Sequence, residues 1–234
     1  MFLLFILFMS EPSQASTTPR EHVILLHGLC RTTKSMTKMA RALEAENYTV
    51  HNLAYPSRKQ TIEDLSEAYL WPILRDCMSQ KASRIHFVTH SMGGILVRDY
   101  VSRHPEQESL GKLVMLAPPN DGSEVADRLR NWRFYQWLNG PAGQQLGTDA
   151  HSLPRKLGPV TLPTGIIAGD RSINWINSLT MIQGKDDGKV SVASSKVEGM
   201  ADHLVVHVTH PMIMKHKGVI RQTIHFLREG TFAK

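Results

Sequence analysis

The chain of 234 residues reads as one α/β domain built on a roughly six-stranded, mostly parallel sheet with helices on both faces. Three observations predict this. Short apolar runs rich in β-branched residues alternate with segments of helical periodicity, 41% of the residues are apolar, enough for a substantial core, and no repeat or linker divides the chain.

Six strands are legible in order: HVILLH (22–27), YTVHNLA (48–54), RIHFVTH (84–90), GKLVMLA (111–117), TGIIAG (164–169) and HLVVHV (203–208). Between the first two, Met36, Met39, Ala40 and Leu43 recur at i, i+3, i+4 and i+7, one face of a helix. Thr61-x-x-Asp64 resembles a capping box with Asp in place of Glu. It opens a helix through Ile62, Leu65, Tyr69, Ile73 and Cys77, which Pro72 is expected to kink. A third helix follows Ser91. The last runs from about Met212 to Arg228, with Gly230 placed to end it.

The 27 Lys and Arg against 21 Asp and Glu give a net charge of +6. No Lys/Arg block, zinc spacing or aromatic RNA-binding motif accompanies that excess, so it reads as a basic surface and no nucleic-acid partner is expected. Cys30 and Cys77 are too few for a disulfide framework and show no metal-ligand spacing along the chain; they form one bridge or none. The opening MFLLFILFMS is too short to span a bilayer but has the length of a signal-peptide core, and Ser13-Gln14-Ala15 supplies a small-residue cleavage site, although no Lys or Arg precedes the run. The expectation is a signal peptide over 1–15, a single domain over 16–234 and export to the periplasm or the medium. The alternative is a cytoplasmic protein with a disordered or strand-forming N-terminus.

In RIHFVTHSMGG (84–94) an apolar strand hands over directly to a serine and two glycines. If GGILVRDYVSRH is the following helix, Ser91 occupies a sharp strand-to-helix turn at the carboxyl end of the sheet, where open α/β folds place ligands. THSMG resembles the nucleophile elbow, normally G-x-S-x-G, of the α/β-hydrolase superfamily, in particular its small bacterial lipase- and esterase-like members. Thr89 stands where the first glycine would be. The resemblance runs from about His22 to Phe232 and is carried also by HGL (27–29), PPNDGS, KDDGKVSV and VTHPMIM.

This resemblance implies an α/β-hydrolase fold without the extra N-terminal antiparallel strands of larger members. It implies a serine esterase of lipase-like type that attacks a small-molecule or lipid ester with Ser91, passes through an acyl-enzyme, and uses no metal or organic cofactor. The backbone N–H groups of Leu29 and Met92 fall where the superfamily places its oxyanion donors. A serine hydroxyl is a poor nucleophile at neutral pH, so an imidazole must take its proton and a carboxylate must orient that imidazole. His210 follows the last strand, where the superfamily carries its histidine; His207 is read as pointing into sheet packing. Three acids compete. Asp170 follows TGIIAG directly, while Asp186 and Asp187 lie in KDDGKVSV. Asp187 is preferred because D-G-K-V resembles the superfamily's D-G-x-V segment and 23 residues separate it from His210, room for one helix or loop before the last strand.

From about 121 to 162 the sequence leaves the core pattern. VADRLRNWRFYQWLNG draws as one helix with Val125, Leu129, Trp132 and Tyr135 on one side, ended by NGPAG. An insertion there would lie over the site as a cap; the plainer reading is a packing helix. Arg128, Arg130 and Arg133 are candidates for peripheral contact with lipid phosphates, against a solvated face. The same triad would serve an acyltransferase or thioesterase. A catalytically silent lipid- or protein-binding member is the alternative from another class; a missing triad residue would mark it, and none is missing.

Overall fold

The structure, a computed structural model, describes residues 20–129, 133–172 and 184–234. The expected signal peptide, Arg130 and Trp132 lie outside the described residues, as do the side chains of Arg128, Leu129, Arg133 and Tyr135.

The sheet is built from β1 (His22–Leu26), β2 (Thr49–Leu53), β3 (Ile85–His90), β4 (Leu110–Leu116), β5 (Thr164–Gly169) and β6 (Asp202–Val206) in the order β2-β1-β3-β4-β5-β6. Every pairing between these strands is parallel, beyond the mostly parallel sheet expected. Such a sheet needs cover on both faces, and the period-2 alternation of the strands supplies an apolar set to each. Ile24, Leu26, Phe87, Met115 and Ile166 join one core with Leu65, Leu74, Ile95 and Leu96 from the helices on that side. Val23, Leu25, Val88, Val114 and Ile167 join the other with Met39, Leu43, Val219 and Phe226.

The helices on the first face are α2 (Ile62–Leu65), α3 (Trp71–Ser79) and α4 (Met92–Arg103); α1 (Thr37–Glu44) and the last helix, α8 (Lys217–Glu229), cover the second. Thr61 caps α2 by accepting the Asp64 N–H at 3.2 Å on its hydroxyl. The irregularity expected at Pro72 takes the form of a π-helical turn, Ser66–Leu70, immediately before α3, where proline's missing N–H breaks the ladder. The final helix starts later than expected. Ile213–Lys215 forms a 3-10 turn, His216 is extended at φ −73° and ψ 128°, and α8 then runs to a left-handed Gly230 at φ 79°.

Between β4 and β5, the helix drawn over 125–140 corresponds to α5 (Glu124–Leu129) and α6 (Arg133–Gln144), residues 130–132 lying outside the described residues, and α7 (Leu153–Lys156) follows. The helical path breaks inside α6 at Gly140 (φ 63°, ψ −168°), within the NGPAG stretch expected to end the helix, and Pro141 opens the turn that follows. Arg98 of α4, buried, ties this segment down. It donates to Oδ1 of Asn120 at 2.9 Å and to the carbonyls of Asn120 (3.3 Å), Pro154 (3.1 Å) and Gly158 (2.7 Å). Burial pushes its guanidinium down to about 10, so it stays a cation at neutral pH. Cys30 is exposed and Cys77 buried, and no disulfide joins them.

Candidate active site

The strand order reverses between β1 and β3, so the segments leaving their carboxyl ends diverge and open a crevice. The His27-Gly28-Leu29 segment leaves β1 there, and Ser91 leaves β3. Ser91 has φ 52° and ψ −126°, a conformation that costs a non-glycine residue roughly 1–3 kcal/mol. The surroundings impose it: the Ser91 N–H donates to the Leu116 carbonyl at 2.8 Å, and the Gly94 N–H returns to the Ser91 carbonyl at 3.0 Å. α4 begins at the next residue and lies so close to β1 that a Cβ on Gly93 would stand 2.9 Å from the carbonyl oxygens of Leu26 and His27. Thr89 fits in place of a glycine because Gly94 leaves room; a Cβ there would lie 3.1 Å from the Thr89 hydroxyl. That hydroxyl donates to the Val114 carbonyl at 3.4 Å.

The loop after β1 is held from below and from the side. The His27 ring stacks on Tyr55 at 4.2 Å, and the Tyr55 hydroxyl donates to the His27 carbonyl. Burial raises the Tyr55 pKa and keeps it a donor. The Cys30 N–H donates to Ser57 Oγ at 3.2 Å. Gly28 passes so near the serine turn that a Cβ would meet His90 Nδ1 at 2.8 Å and Ser91 Cβ at 3.1 Å. Leu29 thereby lines the same cleft as Ser91. Met92 opens α4, in the first turn whose N–H groups have no intrahelical acceptor and where the helix dipole favours negative charge.

On the β6 side, Asp187 and His210 form a buried pair, His210 Nδ1 to Asp187 Oδ2 at 2.8 Å. The other oxygen of Asp187 accepts the N–H groups of Lys189 (3.0 Å) and Val190 (2.9 Å), and its carbonyl accepts the His210 N–H at 3.0 Å. A carboxylate only accepts, so Nδ1 carries the proton and Nε2 is left with a free lone pair. Gly169 makes space for this pair, since a Cβ there would meet Asp187 Cβ at 2.8 Å and the Val208 carbonyl at 2.4 Å.

The competing acids are engaged elsewhere. Asp170 pairs at 2.9 Å with His207, whose side chain is 75% exposed. His207 therefore does not pack into the sheet as expected; β6 ends at Val206, and the ring turns out to solvent toward Asp170. Asp186 accepts the Gly188 N–H at 2.7 Å.

One neighbour escapes the sequence reading. His90 is buried with its ring 4.8 Å from that of His210, and its Nε2 lies 3.1 Å from the His210 carbonyl. Burial, and next the proximity of His210, push its pKa well below the usual value, so the neutral ring donates from Nε2. Its place directly before Ser91 was the available signal.

Leu29, His90, Ser91, Val125, Leu146 and His210 are among the residues around a cleft of about 80 Å³. A larger cavity of about 250 Å³ lies between Arg98, Val101, Leu113 and Thr164, and none of its lining residues belongs to the Ser91 or His210 turns. Chemistry, more than volume, marks the site. Among the described residues, the one cluster of His, Cys, Asp or Glu spaced to hold a metal, His22, His51 and Cys77, is not at this cleft.

The fold recurs in solved structures. The Bacillus licheniformis lipase BlEst2 in mature form superposes with a TM-score of 0.70 at 17% identity, over 95% of this chain and 96% of that one. The lin2722 product of Listeria innocua gives 0.64 at 19% identity, over 92% and 96%, and the metagenomic carboxyl esterase MGS0156 gives 0.60 at 18%, over 89% and 71%. Among curated protein sequences none matches the chain. The family model described as palmitoyl protein thioesterase matches residues 22–149, more than half of the sequence and the part that holds the β1 loop, the serine turn and the start of the β4–β5 segment. The chain thus belongs to the palmitoyl protein thioesterase family, among the ester-hydrolysing α/β hydrolases of lipase and esterase type.

Proposed function

We propose that the protein cleaves carboxylic esters through an acyl-enzyme on Ser91, with His210 as general base and acid and Asp187 holding its tautomer. The observation that carries this is the strained serine turn sharing one cleft with an imidazole whose Nδ1 is fixed on a buried carboxylate. Ser91 Oγ attacks the acyl carbon and its proton passes to Nε2 of His210. The imidazolium so formed is stabilised by Asp187, and the oxyanion by the N–H groups of Leu29 and Met92. His210 then protonates the departing alcohol or thiol. Water, activated by the same imidazole, releases the acid. Val125, Ala126 and Leu146 line the cleft, and they support the reading of 121–162 as a cap that offers apolar walls to the acyl group.

Neighbours named as lipase and carboxyl esterase favour an oxygen ester. The family match favours a second reading on the same groups, cleavage of an acyl thioester. The cleft is far smaller than the roughly 300–1,000 Å³ of sites that enclose a drug-sized ligand, so a long acyl chain would have to displace the cap or run along the surface. Purified protein is to be assayed on p-nitrophenyl esters and acyl thioesters of rising chain length, with a fluorophosphonate probe alongside. Labelling at Ser91 with turnover of either series is expected; turnover without labelling at Ser91 refutes the assignment.

The apolar run over 1–10 supports export after cleavage at Ala15. Secreted or periplasmic protein should then begin at Ser16, and an intact Met1 in such material would refute this.

A further inference from the structure

At the opposite end of β1 from the cleft, on the face covered by α3, ligating side chains converge from three elements. His22 opens β1, His51 lies on β2 two residues beyond Thr49, the register partner of His22, and Cys77 comes from α3. The period of two puts both rings on one face, with centroids 5.1 Å apart and Nδ1 of His22 at 3.1 Å from Nε2 of His51. One donor atom from each of the three residues lies within 4.8 Å of the other two. His22 and Cys77 are buried and His51 half-buried, so the cluster has a rim at solvent. Tetrahedral zinc, with bonds of about 2.0–2.1 Å to nitrogen and 2.3 Å to sulfur, sets its donors roughly 3.3–3.6 Å apart. The two ring nitrogens already stand near that spacing, at 3.1 Å, and the Cys77 sulfur lies within 4.8 Å of a donor on each ring.

We propose that His22, His51 and Cys77 form a binding site for a borderline-soft divalent cation, zinc above all. Two imidazoles and a thiolate suit zinc far better than magnesium or calcium, which prefer oxygen. As the sulfur–metal bond forms, the Cys77 thiol proton leaves to water, and the imidazoles coordinate through lone pairs. A bound cation also supplies the charge that the buried thiolate requires. The site lies about 13 Å from the carboxyl end of β1, at roughly 3.3 Å per residue. Its role is accordingly structural: it fastens the edge strand β2 and α3 to β1.

Cobalt(II), a spectroscopic stand-in for zinc, tests this on the purified chain after chelator treatment. One equivalent should produce a near-ultraviolet thiolate-to-cobalt charge-transfer band that zinc abolishes, and zinc should raise the thermal midpoint. The band should persist in Cys30→Ser and vanish in Cys77→Ala, with circular dichroism confirming that both fold. His51→Ala, on the half-buried side, covers the case in which Cys77→Ala does not fold. Loss of one of three ligands should weaken cobalt binding by at least about 100-fold, more than the 10–100-fold typical of an outer-shell partner. No charge-transfer band with cobalt in excess, a band that follows Cys30, or undiminished affinity in His51→Ala overturns the proposal.

Discussion

Replacing Gly28 with alanine should slow the reaction without unfolding the protein. The new Cβ would lie 2.8 Å from His90 Nδ1 and 3.1 Å from Ser91 Cβ, where ordinary contact begins near 3.4 Å, so something must yield by at least 0.6 Å. The His90 ring has little freedom to yield, because it is buried and its Nε2 is bonded to the His210 carbonyl. The displacement therefore reaches the Leu29 amide, the Ser91 turn or the His210 loop, which the proposed mechanism aligns with one another. Misplacement on the order of 1 Å lowers rates about 10²-fold, and losing one oxyanion donor lowers kcat by about 10²–10³-fold. Overpacking of this kind costs about 1–3 kcal/mol, within the stability of an ordinary domain. The expected result is kcat on a short p-nitrophenyl ester reduced roughly 10²-fold with KM little changed, and a modestly lower urea midpoint. A variant with wild-type kcat would show that the tight approach of the β1 loop does not aim the Leu29 amide.

Ser91→Ala should abolish fluorophosphonate labelling and lower kcat by roughly 10⁴–10⁶, the scale of triad knockouts; labelling that persists would exclude Ser91 as the nucleophile. Asp187→Asn, measured with the same ester, should fold normally and lose on the order of 10⁴ in kcat through the wrong histidine tautomer. Asp170→Asn, at the carboxylate that pairs with the exposed His207, should lose far less, and the reverse ranking would move the acid to Asp170. Stability should fall on acidification. Burial, with His210 beside it, holds the folded pKa of His90 well below 6.5, so below that pH the unfolded chain binds a proton that the folded chain refuses. His90's contribution is complete above pH 6.5 and declines below it by up to about 1.4 kcal/mol per pH unit. His22, His27, His51, His86 and His203, also lowered by burial, act in the same direction. Urea midpoints at pH 7 and pH 5 measure this, and a midpoint unmoved by acid would contradict it.

The strands were legible because a parallel sheet covered on both faces writes itself as short apolar runs, and TGIIAG matches β5 residue for residue. The Ser91 turn was legible because its glycines answer a local demand, the approach of α4 to β1. The break at Gly140 and the π turn before Pro72 announce themselves through residue types; the start of α8 does not, because tertiary contacts decide where a marginal helix begins. Choosing among Asp170, Asp186 and Asp187 needed a resemblance, since all three are acids in loops after strands and only the fold shows which one meets His210. His90 and the His22, His51 and Cys77 cluster were out of reach for a related reason. Their partners lie 120 residues away in one case, and on separate elements in the other, where chain spacing carries no information.

Arg98 grips the segment between β4 and β5 chiefly by main-chain oxygens, those of Asn120, Pro154 and Gly158. Any amino acid offers a carbonyl at those places, so the anchor tolerates substitutions that would re-line the cleft at Val125, Ala126 or Leu146. Scaffold and selectivity are thereby set by different parts of the sequence: a neighbour only 17% identical shares the sheet, so the fold leaves the residues that line the cleft free to vary.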